Sequence, residues 1–396
     1  MLTAQQRAIV KSTVPLLETG GEALTTHFYK ILLSEHPEVR PFFNEANQIT
    51  GDQPRALANG VLMYARHIDK LDELGGLVSK IINKHASLQI EPAHYPVVGA
   101  CLLRGIREVL GAEIATDEVI DAWGAAYAQL ADILMGAEEK IHADIAAAPG
   151  GWRGSRSFVV ARKVVESSEI TSFYFVAEDG APIVSFESGQ YVGLRLLVGN
   201  QEVRRNYSLS AASDGHTYRI SVKRQPGGMA SNFLHDKVQV GDLVDLFPPA
   251  GDFILSASQK PLVLISGGVG ITPTLAMLDT ALAAKRPVHF IHFARNHAVH
   301  AFRNILGQRQ AEHASLKCFY VYDEQPDEKN QQYLPNAVGR VDSDMLQTFL
   351  PVSRDIDAYF LGPQPFMRTV REILLGLNIP AAQIKYEFFG PDRPLG

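Results

Sequence analysis

Leu262-Val-Leu-Ile-Ser-Gly-Gly-Val-Gly-Ile-Thr-Pro273 decides the architecture of the C-terminal third of the chain. The apolar run after Pro261 has no polar alternation, which is how a strand buried on both faces of a parallel sheet reads. Ser266 then leads into Gly267, Gly268, Val269, Gly270, Ile271 and Thr272, a glycine-rich turn between a buried strand and a helix. In that context Gly268 and Gly270 let the backbone approach a pyrophosphate, and the helix N-terminus offers unpaired N–H groups and a favourable dipole. Pro273 suits a first helical turn, where no N–H is needed, and stands where the ordinary dinucleotide fingerprint has its third glycine. A helix is expected over 273–284, and further apolar strands over 288–293, 316–321 and 357–361. Alternating strands and helices make residues 258–396 a doubly wound α/β domain, and the glycine turn in it favours dinucleotide binding.

Toward the N-terminus the period changes to two. Segments 157–165, 171–177, 191–198 and 218–223 are rich in Val, Ile, Phe and Tyr and are separated by turn residues. Residues 149–257 are therefore expected to form a small antiparallel barrel, of six strands. Before Gly150-Gly151 the helical period rules, and residues 1–148 are read as an all-α domain. Thr3 with Gln6 forms a capping-box pattern, and Gly20-Gly21 is expected to close the helix so opened. Helices follow over 23–33, 54–68, 77–85, 93–110 and 118–145, with a proline-broken corner at 36–43. The last helix carries Trp123, Tyr127, Leu130, Leu134, Glu138 and Ile141 on one face, a spacing that places a carboxylate on an apolar stripe.

The bulk numbers exclude several functions. The 396 residues are 46% hydrophobic, enough for two or three cores, and 37 basic against 43 acidic residues give no basic surface for nucleic acid. The N-terminus is polar, and no apolar run is long enough to span a bilayer, so a cytoplasmic protein is expected. Cys101 and Cys318 read as buried reduced thiols.

Four motifs in order complete the reading of the C-terminal half. Arg205-Asn-Tyr-Ser208 ends a barrel strand, Pro226-Gly-Gly-Met-Ala-Ser-Asn232 leads into a short helix, the glycine turn follows, and Leu361-Gly-Pro-Gln-Pro-Phe-Met367 follows a later strand. Residues 151–396 thereby resemble the ferredoxin–NADP reductase family in its flavin-reductase form. The resemblance implies that Arg205, Asn206, Tyr207 and Ser208 contact FAD: Arg205 at the pyrophosphate, Tyr207 against the isoalloxazine, Ser208 at N5. It gives Gly228, Met229, Ala230 and Ser231 the diphosphate, and Tyr191 the adenine or ribityl side. Phe388, Phe389, Gly390 and Pro391 form the C-terminal FAD segment, with Phe389 on the nicotinamide side. NAD(P) falls to residues 267–273, Gly362 and Pro363, and to Arg295, which reads equally as a 2′-phosphate partner or a solvated arginine. NADH and NADPH both remain open. Leu361 stands where such proteins usually have cysteine before Gly-Pro; hydride transfer needs proximity rather than that thiol, so activity is expected and its rate is left open.

The helical part resembles a bacterial single-domain globin through its length, the corner ending Pro41-Phe-Phe43, and Asn83-Lys-His85 followed by Ala86-Ser-Leu and Tyr95. Together the two halves resemble flavohaemoglobins over the whole chain. That implies haem b with His85 as the proximal iron ligand, Lys84, Phe43 and Leu57 around the haem, and Tyr29 and Gln53 on the distal side. Tyr95 and Glu138 are implied as partners of the second His85 nitrogen, and the buried position expected of Glu138 independently requires a donor. Pro54 disfavours helical geometry in the residue before it, so Gln53 is expected either in the distal helix or just ahead of it. The implied activity is nitric oxide dioxygenation: NAD(P)H reduces FAD, FAD reduces haem, and nitric oxide with dioxygen gives nitrate. No nucleic acid, membrane span or obligate protein partner is expected, and lipid or azole-like molecules are candidate distal ligands. The alternative is a haem globin for oxygen or nitric oxide sensing or lipid binding, against which stands the absence of a leftover output domain.

Overall fold

A computed structural model describes residues 2–325, 333–390 and 395. Two compact units are present. The first contains the chain up to Gly154 with Arg195–Arg205 and Gly390; the second contains Ser155–Leu194 and Asn206–Phe389.

The first unit is built on helices α1 (Ala4–Ser12), α2 (Val14–Glu35), α3 (Glu45–Ile49), α4 (Asp52–Arg66), α5 (Gly75–Leu88), α6 (His94–Leu110) and α7 (Asp117–Ala147). The Thr3–Gln6 capping box forms as expected. Gly20-Gly21 does not end a helix: α1 stops at Ser12, and α2 opens with Pro15 in its first turn and runs through both glycines. The reason is tertiary. A Cβ on Gly21 would make only an ordinary 3.5 Å contact with the Ala58 methyl, so neither glycine is required there; the buried face of α2 (Leu17, Leu24, Phe28) and the Thr25 hydroxyl bond to the Pro54 carbonyl of α4 at 2.8 Å carry the helix through both glycines at a cost of roughly 1 kcal/mol each. The proline corner is a 3-10 turn over Pro37–Phe42. Helix α5 does not close at His85 either; it continues to Leu88, and Gln89 in the left-handed region ends it. Leu24, Phe28, Leu32, Tyr64, Leu102, Ile106 and Trp123 form the core. Tyr127 on α7 packs where a Cβ on Gly99 of α6 would be 2.5 Å from its ring, and its hydroxyl donates to the Tyr95 carbonyl at 2.6 Å.

An antiparallel sheet, in the second unit except for residues 195–205, is formed by β1 (Arg156–Val165), β2 (Ile170–Ala177), β3 (Tyr191–Val198), β4 (Gln201–Ser208), β5 (Tyr218–Lys223) and β6 (Leu243–Leu246), in the order β4-β3-β6-β1-β2-β5. A bridge between Leu209 and Ile220 joins its two edges, so the sheet closes as the expected six-stranded barrel. Helix α8 (Met229–Asp236) follows β5. The remainder is a parallel sheet, β10-β9-β8-β7-β11-β12, from β7 (Leu262–Gly267), β8 (Val288–Ala294), β9 (Leu316–Tyr322), β10 (Ala337–Val338), β11 (Asp357–Leu361) and β12 (Ile384–Tyr386). Helices α9 (Ile271–Ala283), α10 (Arg303–Glu312), α11 (Ser343–Phe349) and α12 (Gln364–Gly376) complete it. Leu262, Val263, Leu264 and Ile265 are fully buried, as a central parallel strand requires. Strands β6, β10 and β12 carry too few residues to stand out in the sequence, and β4, marked there only by its end at Arg205–Ser208, is polar along its length: Gln-Glu-Val-Arg-Arg-Asn-Tyr-Ser.

Beside β7 lies a buried imidazole pair. His292 Nδ1 meets Ser266 Oγ at 2.8 Å, His300 Nδ1 meets Tyr322 Oη at 2.9 Å, and the two rings are 4.6 Å apart. Burial pushes His292 down to about 3, and burial with the neighbouring His292 and Arg303 pushes His300 down as well. The unfolded chain thus takes up these protons first. Their contribution to stability is fully present above about pH 6.5 and is lost as pH falls from there toward 3. We predict that the urea midpoint falls steeply between pH 6.5 and 5, and that His292→Asn reduces the slope by up to about 1.4 kcal/mol per pH unit. An unchanged slope in that variant would assign the acid sensitivity elsewhere.

Candidate functional site

In the first unit, three residues from three helices meet around one carboxylate. Glu138 projects inward from α7 and is 3% exposed. Its Oε1 accepts from the Tyr95 hydroxyl at 2.6 Å and lies 2.8 Å from His85 Nδ1, while Tyr95 Oη is 3.1 Å from the same nitrogen. A carboxylate oxygen accepts, so the proton sits on Nδ1 and the Nε2 lone pair is left for another partner. The His85 side chain is 32% exposed against 4% for Glu138, so the imidazole is buried on its Nδ1 side and open on the other. Burial, then the hydrogen bond and charge of Glu138, raise the Tyr95 phenol far above its ordinary range, which keeps it a donor. The stripe position of Glu138 is therefore an interior one.

In the same unit, Tyr29 on α2 is buried, and its ring meets Phe43 edge-on at 5.5 Å. Burial pushes its phenol up to about 12, while a hydrogen bond from the Gln53 side chain acts in the opposite sense. Gln53 therefore reaches Tyr29. It occupies the second position of α4, and Pro54 sits in the same first turn, where helical geometry and proline are compatible. Leu57 packs half-buried on the core from the same helix. Lys84 donates from Nζ to the Gly390 carbonyl at 3.3 Å. Sequence reasoning passed over Arg204, whose Nη1 donates to the Leu88 carbonyl at 2.7 Å and whose guanidinium lies 4.6 Å from the Phe42 ring centre. Its only local signal was being the first of two arginines.

The barrel motifs cluster at strand ends. Arg205, Asn206, Tyr207 and Ser208 are half-buried at the end of β4, and Arg205 Nη1 donates to the Arg204 carbonyl at 2.7 Å. The ring of Tyr191 lies where a Cβ on Gly251 would be 2.8 Å away. Gly228 precedes α8, whose start carries no side-chain cap, so the amides following Gly228 remain available; a Cβ on Gly228 would meet Ser231 Oγ at 2.7 Å. Ser231 Oγ accepts from the Gln225 amide at 3.1 Å, and Ala230 is buried while Met229 is exposed. Phe388 packs half-buried and Phe389 is 50% exposed. Pro391 lies outside the described residues.

In the parallel sheet the glycines divide their work. Gly268 has φ +56 and open space where a Cβ would be, so its backbone faces outward. Gly270 instead meets the Leu361 carbonyl: a Cβ there would be 2.4 Å away. Gly362 would clash with the Phe366 ring, and Gly267 would crowd both that ring and the Pro363 ring. The turn after β7 and the turn after β11 are thus locked together, with Val269 half-buried and Ile271, Thr272 and Pro273 buried behind them. Leu361, in the position where cysteine is usual, is fully buried and packs in the core. Arg295, just beyond β8, is ion-paired with Glu169 of the β1–β2 turn.

Three family models match the chain in order: a globin over residues 26–134, an oxidoreductase FAD-binding domain over 157–254, and an oxidoreductase NAD-binding domain over 264–372. A flavohemoprotein of Pseudomonas putida is 63% identical over 395 residues, covering 100% of both chains, and one of Pseudomonas aeruginosa is 61% identical with the same coverage. The crystal structure of a Malassezia yamatoensis flavohemoglobin with bound FAD and heme superposes with a TM-score of 0.85 at 26% identity, over 98% of this chain and 100% of that one. The FAD/NAD-binding domain of a Vibrio cholerae nitric oxide dioxygenase matches 60% of this chain and 100% of its own, with TM-score 0.55 and 35% identity. With that identity running end to end, the chain belongs to the flavohemoprotein family.

Proposed function

We propose that this flavohemoprotein is a nitric oxide dioxygenase, and that residues 1–148, 149–257 and 258–396 are its haem, FAD and NAD(P)H domains. The net reaction converts two nitric oxide and two dioxygen molecules with one NAD(P)H into two nitrates, NAD(P)+ and a proton. The observation that carries this reading is the buried Glu138 carboxylate bonded to His85 Nδ1, and the buried, protonated phenol of Tyr29 supports it.

When bound, FAD would divide the two electrons of one hydride into single electrons, and haem would supply the iron that receives them. The donor sets fit both groups. His85 offers Nε2 to the iron because Nδ1 is committed to Glu138, and that hydrogen bond pulls negative charge onto the ring, a stronger donor favouring oxygen activation. Tyr29 stays protonated at neutral pH and is oriented by Gln53, so its hydroxyl can donate to the oxygen substrate without first reorienting. Phe43 and Leu57, packed half-buried on the same core as Tyr29, would keep water from it. Arg205 and the open start of α8 would hold the FAD diphosphate, with Tyr191, Tyr207, Ser208 and Phe389 around its rings. The outward backbone of Gly268 would meet the NAD(P)H pyrophosphate. A cytoplasmic location is part of this reading, supported by two free thiols; among the described residues no helix is long and apolar enough to cross a membrane.

The deciding experiment supplies nitric oxide to the holoenzyme in air with NADH or NADPH and measures nitrate. Nitrate formed one for one with nitric oxide consumed is expected; consumption without nitrate overturns the reading. Glu138→Gln should keep haem while lowering the ferrous iron–histidine stretch and slowing nitric oxide turnover. Cytochrome c reduction, which can draw on FAD directly, should be nearly unchanged. An unshifted stretch with normal turnover would leave the triangle without a chemical role. Arg205→Ala removes a charge-assisted bond of about 1.5–3 kcal/mol and should weaken FAD retention tenfold or more; unaltered flavin content after dialysis contradicts that assignment.

A further inference from the structure

The carboxylate that recognises the ribose of NAD in a doubly wound domain usually sits at the end of the second strand, and an arginine there instead welcomes the extra phosphate of NADP. Here that strand is β8. It lies beside β7 with Gly267 opposite Phe293, so Ala294 and Arg295 emerge next to the glycine turn. An arginine at this place, taken alone, reads equally as a 2′-phosphate partner or as a solvated side chain. The structure surrounds it differently. Glu169 Oε1 pairs with Arg295 Nη2, and Glu169 Oε2 lies 3.3 Å from Lys223 Nζ.

Glu169 belongs to the turn between β1 and β2, and that turn is fixed on every side. The Glu166 amide donates to the Ile170 carbonyl at 2.9 Å, and the Ser167 hydroxyl accepts from the Ile170 amide at 3.1 Å. The Arg224 amide donates to the Glu169 carbonyl at 2.7 Å. The Ser168 amide donates to the carbonyl of Ala298, three residues beyond Arg295, at 2.9 Å. Partial burial disfavours ionisation of Glu169, and its Arg295 and Lys223 partners outweigh this, holding the carboxyl below its ordinary range. Glu169 is therefore an anion at neutral pH.

We propose that Glu169 determines dinucleotide specificity, supplying from the barrel the acid that β8 lacks and selecting NADH over NADPH. This rests on the oxidoreductase reading of the NAD(P) site. Glu169 occupies the guanidinium that a 2′-phosphate would need and adds like-charge repulsion against a group carrying about −1.5 to −2. A ribose 2′-hydroxyl meets no such penalty and can donate to the carboxylate. Glu169 is a positioning and selecting residue; it is not placed at the hydride path.

The test measures flavin reduction in the holoenzyme with NADH and with NADPH, and competition by 5′-AMP and 2′,5′-ADP against the preferred dinucleotide. Wild type should favour NADH in kcat/KM, and 5′-AMP should compete at least tenfold better than 2′,5′-ADP. Glu169→Gln should raise kcat/KM for NADPH at least tenfold through KM, raise KM for NADH because the ribose hydroxyl loses its carboxylate, and reverse the order of the two competitors. Glu169→Asp, which keeps the charge, should retain the wild-type preference. Adding Arg295→Gln to Glu169→Gln should abolish the gain. A wild type that prefers NADPH or 2′,5′-ADP overturns the proposal, as does a Glu169→Gln enzyme with an unchanged preference ratio. Failure of both dinucleotides to reduce the flavin would instead remove the reading of the site beneath it.

Discussion

A carboxylate removed from water must find donors, and that requirement organises the helical unit around Glu138. An unpaired charge of this kind costs several kcal/mol, so the fold holds only if α5 and α6 bring an N–H and an O–H to one oxygen of a residue on α7. Much of the surrounding geometry serves that meeting. The Tyr127 hydroxyl holds the Tyr95 carbonyl, which fixes the first turn of α6 and with it the phenol that faces Glu138. Helix α5 runs three residues past His85, and Gln89 ends it after Leu88. The same bond that satisfies the buried acid fixes the tautomer of the imidazole, so stability and chemistry are served by a single contact.

What the sequence made legible was whatever is encoded locally. The capping box, the stripe on α7, the apolar run of β7 and the alternating strands of the barrel each depend on neighbours within a turn or two, and each formed. Glu138 was legible because its spacing placed it inside. What could not be read depends on partners far along the chain. Gly20-Gly21 looks like a stop until the packing of α2 on α4, with Thr25 bonded to the Pro54 carbonyl, is seen around it. Gln53 was ambiguous because proline restricts the residue before it, yet the first turn of α4 absorbs both. Arg295 was undecided because the acid that pairs with it is 126 residues away in the sequence.

The glycine turn shows how a motif can be correct and its explanation incomplete. Sequence logic gives all such glycines to a phosphate, but only Gly268 presents open backbone. Gly270 and Gly362 are needed because two strand ends approach so closely that a methyl group on either would strike backbone or an aromatic ring. Part of a ligand-binding signature is thus a packing requirement of the sheet that carries it.

Gly99 and Tyr127 form a matched pair in the same sense, one residue supplying volume that the other leaves free. Such a pair constrains the order in which related proteins can diverge. Any side chain at position 99 must wait for a smaller ring partner at 127, and losing the tyrosine first opens a cavity and frees the Tyr95 carbonyl. Either single step passes through a damaged intermediate, so the two positions are expected to change together or not at all, and the helix crossing they set is inherited as a unit.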